Sequence, residues 1–304
     1  IFNYEQKVFY FDGRLDADVW HGPPAPPHIK PYSLAAFFRL GFMFEEHTMH
    51  KLSLLYAVLC LGALTVQAAP LNDTGITWSG QATDGNAATC DDSHPAGQDC
   101  HYGRDAAAAA GTLHKTGGGA AGFDFSKISN NGQPLQADSA LGAGENDWAC
   151  TRDNVTGLFW EVKVDDASHL RHKEHGYTWY NTDSATNGGA AGNVGNTTSC
   201  SNTLAGENCN TQNYVTAVNA AGLCGFDNWR MPTIRELESI VDFGRSNPAI
   251  DTLYFPNTPS SYVWSGSPNA DNTDLAWFVN FNGGYSYNYF RSGYFHVRLV
   301  RGGQ

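Results

Sequence analysis

The side chains able to do chemistry gather in a few places along this chain. His169, His172 and His175, with Asp165 and Asp166 beside them, have the donor types of a metal site. Their spacing is neither the i,i+4 helical pair nor a known ligand run, and Arg171 and Lys173 among them repel a cation. The segment therefore reads as a solvated connecting loop. Asp271, Asn272 and Asp274 offer the hard oxygens that calcium takes. No bidentate acidic partner or EF-hand spacing accompanies them, so they read as an Asx-rich turn, with calcium the one cofactor left open. No Gly-x-Ser-x-Gly elbow, His-Glu-x-x-His run or glycine-rich phosphate loop occurs. The expectation is a protein that is not an enzyme.

A stronger cluster lies near the C-terminus. Tyr285, Tyr287 and Tyr289 alternate, so they share one face of a strand, and Tyr294, Asn282, Asn288 and Arg291 are close in sequence. Tyrosine rings with planar amides and a guanidinium suit a saccharide, which needs stacking together with directional hydrogen bonds. The competing reading is cross-strand tyrosine packing in a twisted hairpin. Trp160, Trp179, Trp229, Trp264 and Trp277 could line such a site too, but several alternate with aliphatic residues, as core residues do.

These residues need a scaffold, and its central stretch is Cys224–Val241. Gly222 and Gly225 end one helix. Trp229 is a large apolar anchor, and Arg230 beside it should pair with a carboxylate or carbonyls. Thr233-x-x-Glu236 is a capping box. Ile234, Leu237, Ile240 and Val241 then form one apolar stripe at helical spacing, stopped by Gly244. Before this stretch, Leu158–Val164 alternates as a half-buried strand with Glu161 and Lys163 on its outer side. Gly176–Tyr180 reads as a short strand, Thr182–Asn208 as a long polar loop, and Thr211–Gly222 as a helix. After it come Tyr262–Ser265, the alternating run Leu275–Phe281, a turn at Asn282-Gly283-Gly284, the return strand Tyr285–Arg291, and a closing strand Tyr294–Arg301. Two helices followed by an antiparallel meander give the α+β class.

The first half of the chain reads differently. Met49-His50-Lys51, the apolar run Leu52–Val66 and the small-residue site Val66-Gln67-Ala68 form an export signal over 49–68. Its apolar run is short of the ~20 residues a membrane span needs. Residues 1–48 precede that signal and are expected to be leader that is not translated. Residues 69–149 are rich in Gly, Ala, Asp and Asn, with low-complexity stretches at Ala106–Ala110 and Gly117–Gly119; they are expected to form an irregular region leaning on the domain at 150–304. Beyond the signal stand six cysteines. An even set in an exported chain reads as disulfides, and of the pairings open to six the expected ones are Cys90–Cys100, Cys150–Cys224 and Cys200–Cys209. The net charge of −12 argues against nucleic acid as a partner.

Residues Cys150–Arg301 resemble the Lcl C-terminal-domain family of bacterial proteins. The resemblance rests on Asp153–Lys163 (DNVTGLFWEVK), Tyr177-Thr178-Trp179, Gly222–Gly225, Trp229–Thr233 (WRMPT), Glu236-Leu237, Trp264-Ser265 and the ending Val297–Arg301. Through its W-R-x-P-T segment the family also resembles the wider C-type-lectin-like group, which includes formylglycine-generating enzymes. The resemblance implies a lectin-like fold of two helices, a small sheet and a long irregular loop, stapled by disulfides. It implies export, to the periplasm, the cell surface or beyond, and surface adhesion or glycan binding. No cysteine follows Cys224, so formylglycine-generating chemistry is not expected. The leading expectation is a secreted non-catalytic binding module for a saccharide or a surface protein. The alternative is a structural surface or appendage subunit.

Overall fold

The computed structural model describes residues 72–80, 85–87, 89–90 and 97–302, so the expected leader and export signal lie outside the described residues. The chain divides into two units, residues 1–66 and 67–304, and the elements below belong to the second. They are three helices, α1 (Gly103–Ala109), α2 (Thr211–Ala220) and α3 (Ile234–Glu238), and eight strands. The strands are β1 (Phe125–Ser129), β2 (Trp148–Asp153), β3 (Phe159–Glu161), β4 (Tyr262–Pro268), β5 (Leu275–Asn280), β6 (Tyr285–Phe290), β7 (His296–Val297) and β8 (Val300–Arg301). They form two four-stranded sheets, ordered β1-β2-β3-β8 and β6-β5-β4-β7. All neighbours are antiparallel except β4 and β7. The α+β class is as expected, but among the described residues there are three helices and two sheets where two helices and one small sheet were expected, because residues 69–149 add α1 and β1.

Local rules account for the elements that position the rest. Helix α2 starts at Asn210, whose side chain accepts from the Asn213 N–H, and it stops at Gly222, which takes the left-handed conformation (φ 63°). The capping box of α3 forms as its sequence requires: Thr233 accepts from the Glu236 N–H, and Glu236 accepts from the Thr233 N–H. The helix is shorter than its apolar stripe, ending at Glu238, but Leu237, Ile240 and Val241 are all buried. Asp153 shapes the turn between β2 and β3. It is buried and accepts from the N–H groups of Val155 and Thr156 and from the Thr156 hydroxyl, while Gly157 takes φ 76°.

Four expectations need correction. The segment Tyr294–Arg301 is not one closing strand. It gives β7 to the second sheet, parallel to β4, and then β8 to the first, because Arg298 between them is buried and pulls the chain across. The alanine run at 106–110 lies largely in α1, as alanine's helix propensity favours. Residues 69–149 do more than lean on the domain: β1 is a strand of the first sheet, and Phe123 and Phe125 are buried in the main core. Finally, Glu161 and Lys163 do not face solvent.

Both are fully buried and form an ion pair, with Lys163 Nζ 2.9 Å from Glu161 Oε1. The Tyr214 hydroxyl of α2 and the Leu299 N–H also donate to the Glu161 carboxylate. Arg298 donates to the Glu161 carbonyl and to the Thr258 hydroxyl. Burial works to raise the Glu161 pKa, but Lys163, Tyr214 and Arg171 together hold it below the usual carboxylate range. Burial draws Lys163 down to about 8 and Arg298 down to about 10, against the pull of Glu161.

One core fills the space between the first sheet, α3 and one face of the second sheet, with Phe125, Trp160, Leu237, Val263 and Val279 among its members. Another lies under α2 around Tyr177, Tyr214, Trp229 and two of the disulfides. The three expected disulfides form: Cys90–Cys100, Cys150–Cys224 and Cys200–Cys209. Cys150–Cys224 ties β2 to the turn after α2 across 74 residues of sequence. By loop-closure entropy it contributes about 4 kcal/mol, against about 2.5 for the short loops. Cys200–Cys209 pinches the long polar loop, whose backbone is held largely by its own side chains. Asn181, Asp183, Asn187, Asn193 and Asn196 each accept from the N–H two residues on.

Replacing Glu161 by Gln leaves Lys163 buried without its counter-charge. We expect a loss of about 3–5 kcal/mol, read as a lower urea midpoint. Adding Lys163→Met in the same chain should recover part of that loss, because the orphaned charge is then gone.

Candidate functional site

The expected tyrosine surface is partly assembled. Tyr285, Tyr287 and Tyr289 lie on one face of β6 and are exposed, Tyr287 by 63%, and Tyr294 and Phe290 are exposed nearby. The polar residues expected to join them do not. Arg291 is 3% exposed, stacks over the Trp179 ring at 4.1 Å, and donates to the carbonyls of Leu275, Ala190 and Asn187. It is a tether for the polar loop, not a ligand contact. Asn288 belongs to the opposite face of the strand, by the alternation of side chains along β6. Asn282, in the turn, donates to the side chain of Asn247. The tyrosine face therefore keeps its rings without the expected amides and guanidinium; the amide it does hold, Asn280 opposite Tyr285, donates to the Tyr285 hydroxyl.

The structure brings together a different set of residues, of which the sequence marks only Trp179 as a possible site residue and gives the others to the scaffold. A cleft of about 710 Å³ opens between the start of α2, the residues after Tyr177-Thr178-Trp179, the WRMPT segment and the end of β4. Val215, Met231 and Pro268, all half-buried, supply its apolar lining, and Trp179 borders it but is only 1% exposed. Around them stand Tyr180, Asn181, Gln212, Thr216, Thr233 and Ser267, all uncharged hydroxyl or amide side chains. Many are fixed by neighbours. Gln212 Oε1 accepts from the Thr182 N–H and hydroxyl at 2.8 and 2.9 Å, and Asn181 Nδ2 donates to the Thr186 hydroxyl. Ser267 Oγ accepts the first free N–H of α3, from Ile234. That leaves the Gln212 amide N–H group to face a ligand. Gly266 lets β4 pack closely on the WRMPT segment: a Cβ there would sit 2.9 Å from the Met231 Cβ.

The charges lining the cleft neutralise each other. Arg230 grips Glu236 with two hydrogen bonds, of 2.8 and 2.6 Å, and also reaches the carbonyls of Met231 and Gly302. Both kinds of partner expected for Arg230 are present, although its side chain stays 41% exposed. Burial works to raise the Glu236 pKa, but the Arg230 hydrogen bonds and the Thr233 N–H hold it below the usual range. Trp229, beside it, is buried and donates from Nε1 to the Leu223 carbonyl. Trp160, Trp179 and Trp264 are likewise core residues, and Trp277 is half-buried.

The other candidates do not converge. Among the described residues, neither the histidines at 169, 172 and 175 nor Asp271 and Asp274 belong to a group of three acidic, histidine or cysteine ligands. Asn272 spends its side-chain oxygen on the Asp274 N–H, and Asn269 caps Asp271 and Asn272 in the same way, so the segment is the Asx turn its sequence resembles. No helix among the described residues is long and apolar enough to cross a membrane. Three disulfides fit an oxidising, extracytoplasmic compartment.

Glu236 gives a test with a defined sign. A carboxylate whose folded pKa is depressed stabilises the fold above its unfolded value, near 4.5, and loses that contribution as pH falls through the folded value. Glu236→Gln should cost about 1 kcal/mol at neutral pH after discounting the half-exposed ion pair, a fall in Tm of a few degrees. The gap between variant and native protein should narrow as pH drops below about 4.5.

Comparison with known proteins is consistent with this geometry. The sequence model of one protein family, the Lcl C-terminal domain, matches residues 149–301, a span that supplies most of both sheets and the whole lining of the cleft. No curated protein and no solved structure matches the chain.

Proposed function

The chain belongs to the Lcl C-terminal domain family, and from that premise we propose that it is an exported, non-catalytic binding module with a C-type-lectin-like fold, which seats a neutral, hydroxyl-rich ligand of the saccharide class. The observation that carries this reading is the cleft beside Trp179. Its size suits a small ligand, its floor is apolar, and its rim is uncharged hydroxyls and amides at fixed positions. Its lining carries no histidine or cysteine, and its one carboxylate is held by Arg230. A strongly anionic ligand would find no free cation there. The second reading, a surface subunit that makes protein contacts, is favoured by a separate observation, the exposed rings along β6.

A glycan array with and without a chelator separates the two. The expected result is binding to uncharged glycans that the chelator does not change. Thr216 is an exposed helix position on the rim of the cleft, so Thr216→Trp should fill the cleft at little cost to the fold. We expect it to weaken glycan binding by at least about tenfold, roughly 1.4 kcal/mol, with Tm unchanged. Undiminished binding by the filled variant would remove the cleft from consideration, and a folded protein that binds nothing on the array would favour the contact reading.

A further inference from the structure

Among the described residues, strand β6 is the outer strand of its sheet, and its own sequence carries none of the devices that normally protect such an edge. It runs from Tyr285 to Phe290 in unbroken register with β5, with no bulge. Its sequence, Tyr-Ser-Tyr-Asn-Tyr-Phe, holds no proline and no charged residue. The Arg291 N–H donates to the Asp274 carbonyl, which sets the phase of the ladder. In that phase Tyr285, Tyr287 and Tyr289 bond inward to β5, while Ser286, Asn288 and Phe290 turn their N–H and C=O groups outward. The Phe290 carbonyl accepts from the Gly293 N–H. The other outward groups, both of Ser286, both of Asn288 and the Phe290 N–H, have no backbone partner among the described residues.

We propose that this edge pairs antiparallel with β6 of a second copy of the chain, about a two-fold axis at Asn288, so that two sheets join into one. Three features suit a second copy as the partner. The chain carries a net charge of −12, so most of its surface repels another copy, while β6 has no charged side chain of its own and the one carboxylate that reaches it, Glu238 on the Ser286 hydroxyl, is paired with Arg235. The register is self-complementary: Asn288 meets Asn288, an amide that both donates and accepts, and Ser286 meets Phe290. The tyrosines then fall on one common face, with Tyr287 beside Tyr289 of the other copy in two equivalent cross-strand pairs. This proposal is independent of the cleft reading, because no residue of β6 lines the cleft.

Sedimentation velocity of the exported chain over a dilution series should show a monomer–dimer equilibrium. Asn288→Pro deletes the N–H at the axis without touching the ladder to β5, as a proline on an outer edge can. It should raise the dimer dissociation constant at least about tenfold with Tm unchanged. Outward-facing antiparallel pairs have Cα atoms about 5.5 Å apart, within disulfide range, so Asn288→Cys should give a covalent dimer under mild oxidation. A native chain that stays monomeric overturns the proposal. In that case a lower Tm for Asn288→Pro would point to a segment of the same chain on the edge, and an unchanged Tm to a different protein partner. A dimer that resists Asn288→Pro and fails to cross-link through Asn288→Cys overturns it as well.

Discussion

The fold depends on one buried carboxylate. Glu161 sits in β3, where a strand with one wet face would have put it in water. Instead it is the common acceptor for a lysine two residues on, a tyrosine from α2 and a backbone N–H from the link between β7 and β8. Desolvating a carboxylate and two basic groups costs several kcal/mol each, and only a full set of partners offsets that cost. The reward is positional. Apart from the lysine, each partner comes from a different part of the chain, so the first sheet, α2 and the crossing from one sheet to the other are fixed with respect to a single pair of oxygens. Arg298 extends the arrangement by reaching the Glu161 carbonyl and, on its other side, Thr258.

Around that centre the WRMPT segment joins the pieces that the network does not reach. The backbone of Arg230 bridges to Val300 of β8, and Trp229 fills the space under α2. Asn219 of α2 accepts the Trp229 N–H and donates to its carbonyl, so helix and segment are locked by a reciprocal pair. Arg301 lies over the Phe226 ring at 3.6 Å and donates to Asn228. The cleft is what remains on the far side of this joint. Its walls are scaffold residues whose outer surfaces face water, which is why a site can be built there from residues that also hold the fold.

Much of this was legible in the sequence wherever a local rule decides the outcome. The capping box at Thr233–Glu236 and the glycine stop at Gly222 follow from spacing and residue type alone, while the three cysteine pairs that form were one choice among the pairings open to six. What failed depended on contacts distant in sequence. Alternation in Leu158–Val164 identifies a strand, but it cannot reveal that Tyr214 and Arg298 wait on the supposed wet face. Alternation also identified the tyrosine face of β6. It could not show that Arg291 is drawn inward by carbonyls at 187 and 190, a hundred residues earlier. The cleft was missed because its lining comes from four separate segments, none of which has an unusual composition. The nearest signal was the alternation of polar residues with Trp179 and Met231, which reads equally well as ordinary packing.

The long loop beside the cleft carries a further consequence. Its shape is encoded one turn at a time, by side chains capping the N–H two residues on, and it is closed by Cys200–Cys209 and tethered by Arg291. A wall made this way is ordered before anything arrives, so a ligand does not have to freeze it, and little conformational entropy is spent on association. Because each turn is self-contained, substitutions between the capping residues can change what the wall presents while leaving its path intact. Recognition can thus diversify along this loop without renegotiating the buried charges that hold the domain.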